Sequence, residues 1–220
     1  MKIIFCLPGR SFSNNFLQSW TELIHYLPKY GITPILSNAY SPLLYYVRNM
    51  CLGGDSSQGI TQKPFQSKID YDYLMWIDSD MVFTIDDFTA LLNMNKDIAS
   101  GIYKTANNLT YATVENWDEN YYAKNGSFEF LTDKLINGRK EPFPVEYTGF
   151  GWILIKKGVF ESLEYPWFQP HWEEFEKNGV KYREFTMEDV SFCRMIRKKG
   201  YQIFVDPKII PGHEKTTILR

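Results

Sequence analysis

The sequence predicts an α/β fold built on a mostly parallel central sheet flanked by helices. Three observations carry this. Strand-like and helix-like segments alternate through residues 2–103. The apolar run Tyr73–Ile77 reads as a central buried strand. That run ends directly in two carboxylates, Asp78 and Asp80, at the strand terminus where open α/β sheets bind their ligands.

Taken in order, residues 2–7 are a short buried strand that stops at Pro8-Gly9. Residues 15–30 place Phe16, Trp20, Leu23, Ile24 and Leu27 on one helical face, with Gly31 as the stop. Residues 32–36 form a second strand, and residues 43–52 a second helix ending at Gly53-Gly54. A polar, Gly-rich loop over 53–67 leads into the central strand. Asp86 and Asp87 cap a helix that runs through Asn93, and residues 97–103 are another strand. The second half is less regular. It offers a strand over 111–116, a polar stretch over 116–141, and strands over 145–155 broken at Gly149 and Gly151. A short helix over 157–163 and a long aromatic loop over 165–181, read as a lid, come next. A helix over 187–199, a strand over 201–205 and a polar tail from Ile209 complete the chain. With no repeat and no linker, the 220 residues are read as a single domain.

Composition narrows the partners. Acidic residues number 26 and basic residues 24, a net charge of -2 that gives no footprint for nucleic acid or an acidic membrane. No apolar stretch approaches the ~20 residues of a membrane span, and the N-terminal apolar run is too short for a signal peptide. The three cysteines, Cys6, Cys51 and Cys193, form no CxxC pair, which favours a reducing, cytoplasmic setting. Aromatic residues are abundant at 17%, which suits stacking on sugars and bases as well as filling a core.

Four local patterns point to chemistry. Asp78-Ser79-Asp80 puts two carboxylates on opposite sides of an extended chain, one for a divalent cation and one for a ribose hydroxyl. A solvated acidic turn is the plain alternative. Glu188-Asp189 opens a helix, where acids commonly serve as caps, but a carboxylate there can also deprotonate a bound hydroxyl. His213 follows Pro211-Gly212 and is either an ordinary surface histidine or an imidazole ligand to a metal held by Asp80. Arg10, after the first strand, and Arg48, in a mostly apolar helix, each call for an anionic partner, and a diphosphate would suit the guanidinium fork.

In this order the pieces resemble GT-A-fold, nucleotide-sugar-dependent glycosyltransferases, of a family-2-like bacterial or viral type. Cys6-Leu7-Pro8-Gly9-Arg10 looks like the loop that meets the donor base, and Leu44-Tyr45-Tyr46-Val47-Arg48-Asn49 like the Arg-Asn helix near the diphosphate. Residues 73–80 resemble the strand and D-x-D element, and Ser100-Gly101-Ile102-Tyr103-Lys104 a GGIYxK stretch. Thr148-Gly149-Phe150-Gly151-Trp152 is similar to the Gly-rich strand lining the sugar pocket, and Glu188-Asp189 to an "ED" helix.

The resemblance implies a nucleotide-binding half over about 1–104, an acceptor half over about 105–213, and a flexible tail over 209–220. It implies that Pro8, Arg10, Arg48, Asp78, Ser79 and Asp80 bind the nucleotide of a UDP-sugar or related donor. Asp80, His213 and Asp78 would hold Mn²⁺ or Mg²⁺. Gly149, Phe150, Gly151, Trp152 and Glu188 would line the sugar and acceptor subsites. Asp189 would be the base for inversion, acting on a glycan or other hydroxyl acceptor. Trp167 or Trp172 could serve as a stacking face, and Lys215 and Arg220 could close over phosphates. A nucleotidyltransferase acting on sugar phosphates fits less well, because Leu7-Pro8-Gly9-Arg10-Ser11 is too poor in glycine for its phosphate loop. A catalytically dead sugar- or nucleotide-binding module is the remaining alternative.

Overall fold

A computed structural model describes residues 1–215. Its strands are β1 (Lys2–Pro8), β2 (Thr33–Ala39), β3 (Tyr73–Ile77), β4 (Met81–Val82), β5 (Ile98–Ser100), β6 (Thr110–Val114), β7 (Phe130–Thr132), β8 (Phe143–Val145), β9 (Tyr147–Thr148), β10 (Trp152–Lys156), β11 (Trp172–Lys177), β12 (Val180–Phe185), β13 (Ile203–Val205) and β14 (Gly212–His213). The helices are α1 (Asn14–Tyr26), α2 (Leu44–Cys51), α3 (Ile85–Asn93), α4 (Glu119–Asn125), α5 (Asp133–Ile136) and α6 (Glu188–Lys198). Among the described residues no helix is long and apolar enough to cross a membrane.

The central sheet has seven strands in the order β2-β1-β3-β10-β5-β13-β8. β1 runs parallel to β2 and β3, and β13 runs parallel to β5, whereas β10 is antiparallel to both of its neighbours and β8 to β13. The sheet is therefore mostly parallel, with β10 and β8 reversed. Strand alternation feeds two cores. Ile3, Phe5, Met75, Ile77 and Leu154 face α1 and α3 through Phe16, Leu23, Phe88 and Leu91. Ile4, Cys6, Leu74, Trp76 and Ile153 face α2 and α6 through Val47, Cys51, Phe192 and Ile196. Central strands buried on both sides must be continuously apolar, which is why Tyr73–Ile77 announces itself in the sequence. Each such side chain contributes ~1.5–3 kcal/mol by leaving water.

Helix ends follow local chemistry. Ser13 caps α1 by accepting from Phe16 N, and Pro28 then converts the last turn to a 3-10 helix, Leu27–Tyr30, closed by Gly31 at φ 66°. The expected single helix over 15–30 is thus two. In α3 the cap is Thr84, and Asp87 answers it from the third helical position in a capping box.

The second half departs from expectation in four places. The polar stretch over 116–141 folds into α4, β7 and α5. The expected helix over 157–163 is only a 3-10 turn, Phe160–Ser162. The expected aromatic loop over 165–181 is largely a hairpin, β11 and β12, paired from Trp172↔Phe185 to Lys177↔Val180. Its two-residue turn, Asn178-Gly179, has both residues at positive φ (51° and 74°), the geometry an Asn-Gly turn favours. Finally, the tail expected to be loose from Ile209 is held through Lys215, because β14 pairs with β4.

Candidate functional site

The C-terminal ends of β1 and β3 bring the nucleotide-side residues together. Gly9 lies so close to the Asp78-Ser79-Asp80 turn that a Cβ there would stand 2.9 Å from Ser79 Cβ, so a glycine is needed for the approach. Pro8 is buried at the end of β1, while Arg10 is exposed and stacks over Tyr40 at 5.7 Å. The two carboxylates of the turn do face different partners, as an extended chain dictates.

Asp80 is paired with His213. β14 lays Gly212 and His213 along β4, which sets His213 Nε2 3.2 Å from Asp80 Oδ2. His213 Nδ1 donates to Lys104 O at 2.7 Å, which turns Nε2 to Asp80; protonated, Nε2 donates to Asp80 Oδ2, and deprotonated it would offer its lone pair to a cation beside that oxygen. Lys215 Nζ also reaches Asp80 Oδ2, at 2.5 Å, and Glu214 is tied back by Ser13 Oγ at 2.6 Å. Burial pushes the Asp80 carboxyl up, but the His213 and Lys215 hydrogen bonds outweigh it and hold the group at about 2. One carboxylate oxygen and one oriented imidazole form a donor set that suits Mn²⁺ or a similar divalent ion. Among the described residues no group of three His, Cys, Asp or Glu side chains surrounds such an ion, so its remaining positions would fall to ligand oxygens. Arg220 lies outside the described residues.

Asp78 and Glu188 meet Arg48 instead. Arg48 is 3% exposed; its Nε donates to Glu188 Oε1 at 2.9 Å and its Nη2 to Asp78 Oδ1 at 3.1 Å. Its guanidinium also lies 5.1 Å over the Phe150 ring. Burial works against the Arg48 charge, and Asp78 and Glu188 more than restore it, so the group is held above its ordinary range. Arg48 Nη1 and Glu188 Oε2 are buried without a hydrogen-bond partner among the described residues. The anionic partners expected of Arg48 are, in this structure, the carboxylates of Glu188 and Asp78, which take its Nε and Nη2. Both Asp78 oxygens likewise lie within 3.3 Å of Arg48 Nη2, so Asp78 is turned from Asp80's partners.

A cleft of 290 Å³ opens beside this cluster, with Arg48, Asp78, Glu188 and Asp189 among its polar lining residues and Phe128, Phe130 and Trp117 among its aromatic ones. Asp189 is partly buried in the first turn of α6; its Oδ2 accepts from Tyr147 Oη at 2.8 Å and its Oδ1 from Val190 N at 2.7 Å. Burial, then the neighbouring Glu188 charge, push the Asp189 carboxyl above the ordinary range, and the Tyr147 hydrogen bond and Arg48 offset only part of this. Tyr103 also lines the cleft and sets its ring edge-on to His213, at 5.3 Å, which links the cleft to the Asp80–His213 pair.

Gly149 and Gly151 make room for Tyr103: a Cβ at 149 would stand 2.2 Å from Tyr103 Oη, and Gly151 N donates to that hydroxyl at 2.9 Å. Phe150, between them, is buried and reaches the cleft lining. Trp152 does not. It is fully buried and packs on Phe83 at 4.8 Å, so it has no face for a sugar, and Trp167 is buried too. Trp172 is 58% exposed, on β11, and is absent from the cleft lining. Sequence reasoning missed Tyr147 and Tyr103 as site residues. Their positions, two before Gly149 and within the Ile102-Tyr103-Lys104 stretch, were the available signals.

No family model matches this chain, and no curated protein matches it in sequence. Its structure is similar to that of A197 from STIV (TM-score 0.54, 16% identity), covering 100% of this chain and 97% of that one. It is also similar to GalNAc-T7 solved with UDP, GalNAc and Mn²⁺ (TM-score 0.56, 11% identity), covering 96% of this chain but only 43% of that one. At these identities the likeness speaks for the fold, which is GT-A.

Proposed function

We propose that this chain is a glycosyltransferase that moves a sugar from a nucleoside diphosphate sugar, with UDP favoured, to a hydroxyl acceptor. The carrying observation is one juxtaposition: at the C-terminal edge of the sheet, the Asp80–His213 pair and the partly buried Asp189 stand on either side of the Arg48 cluster. The GT-A fold and a neighbour solved with UDP and Mn²⁺ support the reading. Pro8, Arg10 and Ser79 lie where a nucleotide would cross the ends of β1 and β3.

In the proposed reaction, Asp189 accepts the acceptor's hydroxyl proton. The acceptor oxygen bonds to the anomeric carbon as the bond from that carbon to the diphosphate oxygen breaks, with inversion. The leaving nucleoside diphosphate carries away the bonding electron pair. Asp80 and His213 would hold Mn²⁺ or Mg²⁺, which when bound would supply Lewis-acid neutralisation of that leaving charge. A carboxyl held above its ordinary range is a better match to a base working near neutral pH than an exposed one. Glu188, committed to Arg48, serves to place that guanidinium and the start of α6.

The test needs no known acceptor, since transferases of this kind slowly pass sugar to water. Nucleotide sugars are screened for release of nucleoside diphosphate with Mn²⁺ or with EDTA, on wild type and Asp80→Ala. Release from one donor, lost with EDTA and in the variant, is the expected result. If no donor is turned over and calorimetry detects no metal-dependent binding of any nucleoside diphosphate, the reading is wrong. Binding without turnover would instead favour the module that only binds.

A further inference from the structure

We propose that Tyr147 is a positioning residue for Asp189, its hydroxyl anchoring one carboxylate oxygen and so fixing the base at the wall of the cleft. The chemistry rests on the transferase reading; the geometry does not.

Tyr147 has little freedom. It is 8% exposed and lies in β9, whose register against β6 is set by the Val114↔Tyr147 pair and by Glu146 N donating to Val114 O at 3.0 Å. Trp117 and Phe130 meet its ring edge-on, at 6.3 and 6.1 Å. A ring held this way delivers its hydroxyl to one place, which is Asp189 Oδ2 at 2.8 Å. Among the described residues Tyr147 is the only side chain that hydrogen-bonds Asp189; the other bond comes from Val190 N within α6. With both oxygens engaged, the short Asp189 side chain is held in one orientation. A base is effective only when its oxygen stays within hydrogen-bond reach of the proton it takes, and misplacement by ~1 Å can cost 10²-fold in rate.

The surroundings make this bond count. Glu188 precedes Asp189 on α6 and Arg48 reaches toward both from α2, but Arg48's bonds go to Glu188 and Asp78. Tyr45 on α2, Tyr103 after β5 and Cys193 one turn along α6 are the other titratable groups facing Asp189, and none bonds to it. A donor bonded to a carboxylate favours its ionised form. Removing the Tyr147 hydroxyl therefore leaves Asp189 easier to protonate as well as less well placed.

The test is a ¹³C NMR titration of the Asp side chains in wild type and Tyr147→Phe, with Asp189 assigned from Asp189→Asn. The Asp189 signal is expected to titrate at higher pH in Tyr147→Phe and to stay in place in Trp117→Phe, which alters the packing but keeps the hydroxyl. With the donor that the nucleotide-sugar screen selects, the acid limb of the pH–rate profile should move the same way. The plateau rate should fall roughly tenfold with donor KM unchanged. An unmoved Asp189 titration overturns the proposal whatever the activity. A moved titration in a protein that turns over no donor keeps the positioning role and removes the transferase reading. If Tyr147→Phe does not fold, the wild-type sequence grown with 3-fluorotyrosine tests the same bond. Its more acidic phenol is a stronger donor and should lower the pH at which Asp189 titrates, and no change would again overturn the proposal.

Discussion

Two acidic pairs flank the site, Asp78 with Asp80 and Glu188 with Asp189, and they are divided in the same way. One member of each pair is bound to the buried Arg48: Asp78 at 3.1 Å and Glu188 at 2.9 Å. The other member faces outward to different company, Asp80 to His213 and Lys215, Asp189 to Tyr147. The difference teaches what a single guanidinium can do at the meeting of three elements. It pairs with the buried Glu188 and the partly buried Asp78 and ties α2, the end of β3 and the start of α6 into one piece. On the proposed reading, the carboxylates it leaves are the ones that act, Asp80 toward a cation and Asp189 as the base. Each pair of neighbouring acids is thus divided between one residue held by Arg48 and one left to other partners.

That division can be broken or sharpened. The largest effect is expected at a reactive member: Asp189→Asn should lower the rate of transfer or donor hydrolysis by ~10²–10⁴ while nucleotide affinity is unchanged, as kcat and KM would report. Its stability should move the other way. The folded state raises the Asp189 carboxyl, so the group's contribution is present below the unfolded-state range and is lost as pH rises through the raised value. Asp189→Asn should therefore melt higher than wild type at neutral pH and match it in acid. At the structural members the order reverses. Arg48→Met leaves Glu188 buried and unpaired and should cost ~3–5 kcal/mol in urea unfolding, and adding Glu188→Leu should recover much of it. The smallest effect is expected at the glycine bend. Gly149→Ala should cost ~1–3 kcal/mol because its methyl meets the Tyr103 hydroxyl, and Tyr103→Phe in the same chain should return part of that loss.

Much of the frame was legible because burial writes itself into periodicity. Tyr73–Ile77 was read with its true bounds, since a strand covered on both faces cannot hide its apolar run. Trp172–Lys177 was not, because Glu173, Glu174 and Glu176 give an apolar pattern no face to follow, although Asn178-Gly179 was a usable turn signal. The carboxylates of the site were found from their place at element ends. Their division was not, because it depends on Arg48, which lies 30 residues from Asp78 and 140 from Glu188. Trp152 misled for a related reason: a tryptophan beside two glycines looks exposed until the strand carrying it proves to be central.

The short pairing of β14 with β4 has a consequence for how the protein is assembled. It joins segments whose contact between Lys215 and Asp80 spans 135 residues, and contacts of that range form only after the chain has paid the entropy of closing the loop. The sheet, β13 included, can pair before Gly212 and His213 dock on β4, so a form of the chain with its sheet complete would have Asp80 in place and His213 not yet beside it. A cation that binds across the two segments would favour the docked form by mass action and raise the melting temperature with its concentration. The same ion would then act as a fastener for the carboxyl-terminal segment, and its removal would release that segment before the sheet behind it.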